Sequence, residues 1–203
     1  MSRYDPRIAV RRLFSDTWGY DVSKDEDQAV KATGGSSTYG EIMPTALDRL
    51  IESLDPEPED VFFDLGSGLG KVILQVAMTV ELRQCIGIEL VESRHRAAMA
   101  ALARARAAGY LETEDVRFRK ADILRARLTG ATILYTCSTA FPEGFMMRVA
   151  ERVAGLREGV RLVTLQELDE NPWFDTEEVL RLDMSWKRRT KVHVYRLTRS
   201  RRC

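Results

Sequence analysis

Three carboxylates stand at or near the ends of three successive apolar segments of the chain. Asp64 lies within the first segment, Glu89 ends the second, and Asp122 ends the third. If the segments are parallel strands, their carboxyl ends meet at one edge of a sheet, where ligands bind in open α/β folds. There Glu89 could accept hydrogen bonds from both hydroxyls of a ribose, and Asp122 could accept one from an adenine amino group. The ordered set predicts a site for an adenosine-containing cofactor.

A glycine-rich turn, Gly66–Lys71 (GSGLGK), follows the first segment and precedes a predicted helix. Such a unit presents backbone N–H groups at the start of the helix, and glycine leaves room for a ligand close to the backbone. The turn is not a dinucleotide fingerprint, because Lys71 stands where the last glycine should be. It is not a phosphate loop either, because Val72 replaces the required serine or threonine. The predicted cofactor contacts in the turn are Gly66, Ser67, Gly68 and Gly70.

The charge of Asp64 indicates which cofactor the turn would bind. Asp64 lies two residues before Gly66. A carboxylate at this place would repel a pyrophosphate, but it suits a ligand that carries an ammonium group. S-adenosylmethionine carries an α-ammonium, a sulfonium and no phosphate. The sequence therefore predicts S-adenosylmethionine, rather than NAD, as the cofactor.

The elements that must position these residues alternate along the chain. Strands and helices alternate five times and two strands close the sequence, which predicts an α/β, Rossmann-like fold. Its sheet would be mostly parallel, with helices on both faces and a C-terminal antiparallel hairpin. Residues 16–37 are polar and contain a glycine pair, so we predict a loop or lid there. The predicted strands are 61–65, 84–89, 115–122, 131–136, 160–165, 179–186 and 192–197, and the main predicted helices are 71–79 and 92–108.

The composition narrows the class of protein further. The 203 residues suffice for one α/β domain, and the balance of 31 basic and 31 acidic residues argues against a nucleic-acid partner. Basic residues crowd both ends, which fits either solvated ends or a docking surface for an acidic partner. Three dispersed cysteines and two histidines predict no metal site and a reducing cytoplasm. No membrane helix and no signal peptide are predicted.

Two segments, Thr38–Thr45 (TYGEIMPT) and Val61–Ala77 (VFFDLGSGLGKVILQVA), resemble the DOT1 family of histone lysine methyltransferases. The likeness continues through Gly87–Glu89 and Asp122. It implies a class I methyltransferase fold with a seven-stranded sheet, in a compact member of bacterial type.

The resemblance also assigns the stretch before the glycine turn. It implies that Tyr39 and Glu41 lie on a loop that closes over the cofactor, with Glu41 near its methionine part. We accordingly divide the chain into an N-terminal arm or lid, residues 1–37, and a methyltransferase domain, residues 38–203.

One departure from the family concerns the methyl acceptor. After the fourth strand the family carries Asn-Asn-Phe beside a lysine channel. In this chain Thr136 and Cys137 stand in the asparagine positions and Ser138 in that of the phenylalanine. We predict that the channel wall and its polar contacts are Tyr135, Thr136, Ser138 and Phe141, with Thr136 also touching the cofactor.

The acceptor predicted from the resemblance is a lysine side chain of a protein. Transfer to a neutral amine needs alignment and a dry pocket rather than a strong base, and Cys137 is expected to be an inert, buried thiol. Two alternatives stay open. The chain could methylate nitrogen or oxygen of a small molecule, or it could bind the cofactor as a pseudoenzyme without catalysing transfer.

Overall fold

The computed structural model describes residues 4–17, 19, 21–138, 141–142, 144–168 and 171–199. Within them the chain forms six helices and seven strands. The helices are α1 (Pro6–Leu13), α2 (Lys24–Ala32), α3 (Pro44–Leu54), α4 (Lys71–Thr79), α5 (Glu92–Ala107) and α6 (Phe145–Val153). The strands are β1 (Val61–Leu65), β2 (Gln84–Glu89), β3 (Val116–Lys120), β4 (Ile133–Thr136), β5 (Arg161–Thr164), β6 (Phe174–Leu182) and β7 (Thr190–Leu197).

The strands form one seven-stranded sheet in the order β3-β2-β1-β4-β5-β7-β6. Strands β1 to β5 run parallel, and β7 lies antiparallel between β5 and β6. One apolar cluster joins α1, α3, α4 and α5 to one face of the sheet, and a second joins α6 to the other. The predicted α/β, Rossmann-like fold with a C-terminal antiparallel hairpin is therefore confirmed.

The central elements lie where the sequence placed them. β1, α4 and β2 have the predicted bounds. All five residues of β1 are buried, because β1 has strands on both sides and helices on both faces. A strand in such a position needs a nearly continuous apolar sequence, and this is why it could be located. The change of strand order falls at β1, between β2 and β4, so the carboxyl end of β1 opens into a crevice that can hold a ligand.

The prediction for the sixth strand is wrong in position. β6 covers Phe174–Leu182, whereas residues 183–186 belong to the turn that leads to β7. β6 is the outer strand of the sheet, and its residues from Asp175 to Val179 are exposed and mostly charged. An edge strand with this composition has no apolar alternation, so the hydrophobic pattern found only its second half.

The predicted loop over residues 16–37 is also wrong in part, because it contains α2. Ser23 caps the helix by accepting a hydrogen bond from the Glu26 N–H at 3.2 Å, and Glu26 Oε2 accepts one from the Ser23 N–H at 3.0 Å. Val30 is the one residue of α2 that is buried. A helix that buries so little has no apolar stripe, and only its capping box could have revealed it.

The two N-terminal helices pack against the rest of the chain. Val10 and Leu13 of α1 lie in the same apolar cluster as α3 and α4. Glu26 Oε1 accepts a hydrogen bond at 2.7 Å from the Ser93 N–H in the first turn of α5. That bond is the main reason why the pKa of Glu26 falls to about 2. The division between residues 37 and 38 stays a prediction. No helix in the described ranges is long and apolar enough to cross a membrane.

Replacing Glu26 with alanine should detach α2 from α5. We expect a loss of about 1–2 kcal/mol of folding free energy, because the Glu26 side chain accepts hydrogen bonds at the N-termini of both α2 and α5. The pKa of Glu26 is lowered by folding, so this contribution is present above pH 4.5 and disappears as the pH falls towards 2. Hydrogen exchange of α2 measures the change, with Asp25→Ala as the control. If hydrogen exchange of α2 were unchanged in Glu26→Ala, the hydrogen bond between Glu26 and Ser93 would not stabilise α2.

Candidate functional site

A cavity of about 930 Å³ lies at the carboxyl edge of β1, β2 and β4. It is bounded below by the glycine turn Gly66–Lys71 and above by the segment 38–43 that precedes α3. Residues of α1 and α2 complete its wall. The lining residues predicted from sequence are Tyr39, Glu41, Asp64, Gly66, Ser67, Gly68, Glu89, Asp122, Tyr135 and Phe141.

The glycine turn has left-handed backbone at three positions. The φ angles are 85° at Gly66, 52° at Gly68 and 86° at Gly70, which glycine adopts without strain. A Cβ at Gly68 would stand 2.7 Å from the Tyr39 ring. Gly70 does not line the cavity, and it is needed for packing against Phe118. The predicted direct cofactor contact of Gly70 is therefore replaced by a role in seating the turn on the sheet.

Glu89 is buried and supports the glycine turn from below, with 6% of its surface exposed. Its Oε2 accepts a hydrogen bond from the Gly68 N–H at 2.7 Å, and its Oε1 accepts one from the Val91 N–H at 2.8 Å. Each carboxylate oxygen has a further lone pair, so the side chain can still accept hydrogen bonds from a diol in the cavity. Glu89 thus lies in the site as predicted, and it also holds the backbone of the glycine turn in place, which the sequence did not indicate.

Asp64 is the most deeply buried carboxyl group of the site, at 2% exposure. It lies beside Gly87 on β2 and Tyr135 on β4 in the sheet register. Burial, and secondarily the nearby Glu89 carboxylate, raise the pKa of Asp64 well above its usual value. A cation placed next to Asp64 would reverse this effect, because it favours the ionised carboxyl group.

Asp122 lies two residues beyond the end of β3 and contributes to the cavity wall. Its Oδ1 accepts a hydrogen bond from the Leu124 N–H at 2.9 Å, and its Oδ2 lies 3.7 Å from the guanidinium of Arg125. Asp64, Glu89 and Asp122 therefore line one cavity at three neighbouring strand ends, as their order in the sequence indicated.

The segment 38–43 is fixed by charged residues that the sequence analysis did not assign to the site. The Tyr39 hydroxyl donates to Glu41, and Lys71 Nζ lies 2.7 Å from the same carboxylate. The guanidinium of Arg94 lies 4.8 Å from the centre of the Tyr39 ring and donates to the Ser37 carbonyl at 2.7 Å. Arg94 is buried on α5, and no local pattern in an arginine-rich helix distinguishes it from its exposed neighbours.

The turn between β6 and β7 forms a further wall that the sequence analysis missed. The Ser185 N–H donates to the Glu41 carbonyl at 2.8 Å, and the Met43 N–H donates to the Asp183 carbonyl at 2.9 Å. Trp186 lines the cavity above Gly40, where any Cβ would collide with its indole, and 44% of its surface is exposed. Its exposure at the cavity mouth is visible only in the structure, so no pattern in the sequence could have assigned Trp186 to the site.

Two residues predicted for the acceptor channel lie outside the cavity. Thr136 is fully buried and donates to the Leu65 carbonyl at 2.8 Å. Ser138 is also fully buried, shares a 2.6 Å hydrogen bond with Thr164 and accepts from the Gln166 N–H at 2.9 Å. Both hydroxyls hold strand ends together, because buried polar groups must find partners in the fold. The prediction that Thr136 and Ser138 contact the cofactor or the acceptor is therefore wrong.

At its end beyond β4 the cavity is lined by apolar or uncharged side chains, next to the carboxylates of Asp64 and Glu41. Tyr135 and Phe141 lie there as predicted, together with Cys137 and Phe145. Burial raises the pKa of Cys137 to about 12, so its thiol stays protonated and unreactive at neutral pH.

These residues fit S-adenosylmethionine. The carboxylates suit a cationic cofactor with a ribose, and the buried hydroxyls of Ser67 and Tyr135 lack hydrogen-bond partners among the described residues. The volume of the cavity is in the upper range for small-molecule sites. The fold and the site are those of the class I S-adenosylmethionine-dependent methyltransferases.

Comparison with known proteins gives the family. Residues 24–196 match the family described as "Histone methylation protein DOT1". The chain belongs to this family, as the segments 38–45 and 61–77 indicated.

Curated relatives are much longer than this chain. It is 31% identical over 146 residues to the "Histone-lysine N-methyltransferase, H3 lysine-79 specific" of Drosophila melanogaster, an alignment that covers 62% of this chain and 7% of that protein. It is 31% identical over 151 residues to the protein of the same name from Caenorhabditis elegans, with 67% of this chain and 15% of that protein covered. The chain thus spans less than a sixth of the length of either relative.

Solved structures share the fold at low sequence identity. An RNA methyltransferase from Salinibacter ruber in complex with S-adenosyl-L-homocysteine gives a TM-score of 0.58 at 24% identity, over 78% of this chain and 93% of that chain. Magnesium protoporphyrin IX methyltransferase from Synechocystis PCC 6803 with bound S-adenosylmethionine gives 0.59 at 14% identity, over 98% and 100%. Both likenesses show the fold alone.

Proposed function

We propose that this protein is an S-adenosylmethionine-dependent protein lysine N-methyltransferase. One observation carries the proposal: a single cavity has carboxylates along three strand ends and an uncharged, partly aromatic end beyond β4. The first part suits a cationic nucleoside cofactor, and the second suits the aliphatic stem and neutral amine of a lysine. Membership of the DOT1 family supports the same acceptor class.

The cofactor would be held by the residues that line the carboxylate side. In this proposal Glu89 accepts hydrogen bonds from the ribose hydroxyls, Asp122 accepts from the adenine amino group, and Asp64 faces the α-ammonium. Tyr39 and Glu41 close the site from above. The bound cofactor supplies an electrophilic methyl group on a sulfonium.

The protein's own contribution lies in alignment and desolvation. Phe141 and Phe145 contact each other with ring centres 4.7 Å apart beside the predicted acceptor path. An ammonium that enters apolar surroundings has a lowered pKa, so the lysine gives up its proton to water before it reacts. Alignment of the neutral amine with the methyl group can account for several kcal/mol of the barrier, up to about 10.

The location and subtype of the protein stay predictions. We propose a cytoplasmic protein of bacterial type, with a protein as methyl acceptor, and expect neither nucleic acid nor membrane as a partner. The dispersed cysteines support the cytoplasmic location, and the balance of charges supports the absence of a nucleic-acid partner.

Calorimetric titration with S-adenosylmethionine, S-adenosylhomocysteine and NAD tests the cofactor. We expect micromolar binding of the two sulfur ligands and none of NAD. Failure of both sulfur ligands to bind would overturn the proposal at its first step.

Transfer from methyl-labelled S-adenosylmethionine to recombinant histone H3 and to a mixed protein pool tests the acceptor. The binding-impaired variant Glu89→Ala is the matched control. Labelled methyl-lysine in the acid hydrolysate of a protein would support the proposal. Label confined to small molecules would favour the alternative methyltransferase, and cofactor binding without any transfer would indicate a pseudoenzyme.

A further inference from the structure

The hydroxyl of Tyr135 is a buried polar group in need of a partner. Tyr135 lies on β4, next to Asp64 on β1, and has 1% of its surface exposed. Its Oη makes no hydrogen bond of ordinary geometry within the part of the chain that the structure describes, and the Cys137 thiol lies close enough for a weak one that leaves the lone pairs of the hydroxyl oxygen free. Burying a hydroxyl without a partner costs free energy, so proteins keep such groups rarely and often at functional sites.

The surroundings of this hydroxyl restrict which ligand it can serve. Tyr135 lines the cavity together with Cys137 and Asp64, and both of these side chains are close enough to act on its hydroxyl electrostatically. Burial raises the pKa of Tyr135 well above its usual value, and the Cys137 thiol is protonated as well. The phenol therefore stays neutral, and its oxygen lone pairs are available to a donor that enters the cavity.

Tyr135 belongs to the uncharged end of the cavity and lies next to the carboxylate side. Asp64, on the neighbouring strand, belongs to the carboxylate side, and Phe141 belongs to the uncharged end. The methyl group must be transferred where these two parts meet. A neutral acceptor amine arrives there with two N–H groups that need acceptors, and the rings of Phe141 and Phe145 offer none.

We propose that the Tyr135 hydroxyl accepts a hydrogen bond from an N–H of the acceptor amine and orients its lone pair toward the methyl group. The inference rests on the proposed function. In the transfer, the nitrogen lone pair forms the new N–C bond and the C–S bond breaks with its electron pair on sulfur. The resulting ammonium then loses its proton to water. Tyr135 remains a neutral hydrogen-bond acceptor throughout.

Sinefungin tests this role without knowledge of the acceptor, because carbon replaces its sulfonium and an amino group replaces the transferred methyl, which puts N–H donors directly beside the place of the acceptor nitrogen. We expect Tyr135→Phe to weaken sinefungin binding about 10-fold, or about 1.4 kcal/mol, and to leave S-adenosylhomocysteine binding within about 2-fold. The thermal midpoint should not fall, since the variant removes a buried hydroxyl that has no hydrogen-bond partner of ordinary geometry. Tyr110→Phe, outside the cavity, is the control and should change neither affinity.

The outcomes separate this inference from the proposed function. Equal losses for both ligands, no loss for either, or a lower thermal midpoint would each overturn the role of Tyr135, since the last indicates a structural hydrogen bond. Absence of S-adenosylhomocysteine binding in the unmodified protein would instead overturn the proposed function.

Discussion

Replacing Glu89 with alanine should weaken S-adenosylmethionine binding by about 30- to 1,000-fold, which corresponds to roughly 2–4 kcal/mol. Two losses add in this variant. The ribose loses its proposed acceptor, and the buried N–H groups of Gly68 and Val91 lose the carboxylate that now accepts their hydrogen bonds. The glycine turn would then have to be ordered by the cofactor itself. Calorimetry gives the affinity, and hydrogen exchange of residues 66–70 reports on the turn.

Variants at and near this position distinguish the two losses. Glu89→Gln keeps one good acceptor and the shape of the side chain, so it should fall between the wild type and Glu89→Ala. Glu92→Ala removes a partly exposed carboxylate three residues later, which pairs with Lys120 and does not line the cavity. It should bind normally. If Glu89→Ala bound as tightly as Glu92→Ala, Glu89 could not contact the ribose.

Replacing Asp64 with asparagine should have opposite effects on stability and on binding. The carboxyl group is buried and its pKa is raised, so ionising it near neutral pH costs folding free energy that an amide of the same shape avoids. We expect a higher thermal midpoint, by about 2–4 °C for each kcal/mol recovered in a chain of this size. The affinity for S-adenosylmethionine should fall at least about 10-fold, since the α-ammonium loses a charged partner. Such a trade is common at functional sites.

The pH dependence of the folding free energy shows whether the Asp64 carboxyl group destabilises the folded protein. A carboxyl group with a raised pKa holds its proton longer in the folded state than in the unfolded state. The stability of the wild type should therefore decrease as the pH rises from about 3.8 through the raised pKa, and Asp64→Asn should lack this decrease. The exposed edge residue Asp175 provides the control substitution. A lower thermal midpoint in Asp64→Asn would indicate that the carboxylate is ionised and structurally required.

The central fold could be predicted because burial there is nearly complete. In β1 and β2 the sheet packs on both faces, so tertiary structure and local sequence demand the same apolar run. At the periphery of the fold, the tertiary structure does not require an apolar sequence. α2 buries only Val30 and β6 is exposed along most of its length, so neither carries a hydrophobic period from which it could be located.

The site divides in the same way. Asp64, Glu89 and Asp122 could be predicted because each stands at or near the end of a predicted strand and parallel topology brings strand ends together. Thr136 and Ser138 were misassigned because a resemblance in sequence gives the position of a residue but not the direction of its side chain. Arg94 and Trp186 reach the cavity from elements that join it only in three dimensions, so no spacing near the glycine turn indicates them.

Helix α1 has a consequence for the time at which this cavity can form during protein synthesis. Arg104 of α5 donates a 2.7 Å hydrogen bond to the Leu13 carbonyl, across 91 residues of sequence. At about 5–20 residues per second, a ribosome needs roughly 5–20 s to add that stretch. During this interval Val10 and Phe14 can pack only on the parts of their apolar cluster that have already been made, chiefly α4. The part of the cavity wall that α1 contributes is thus made well before the last of the elements that hold it in place.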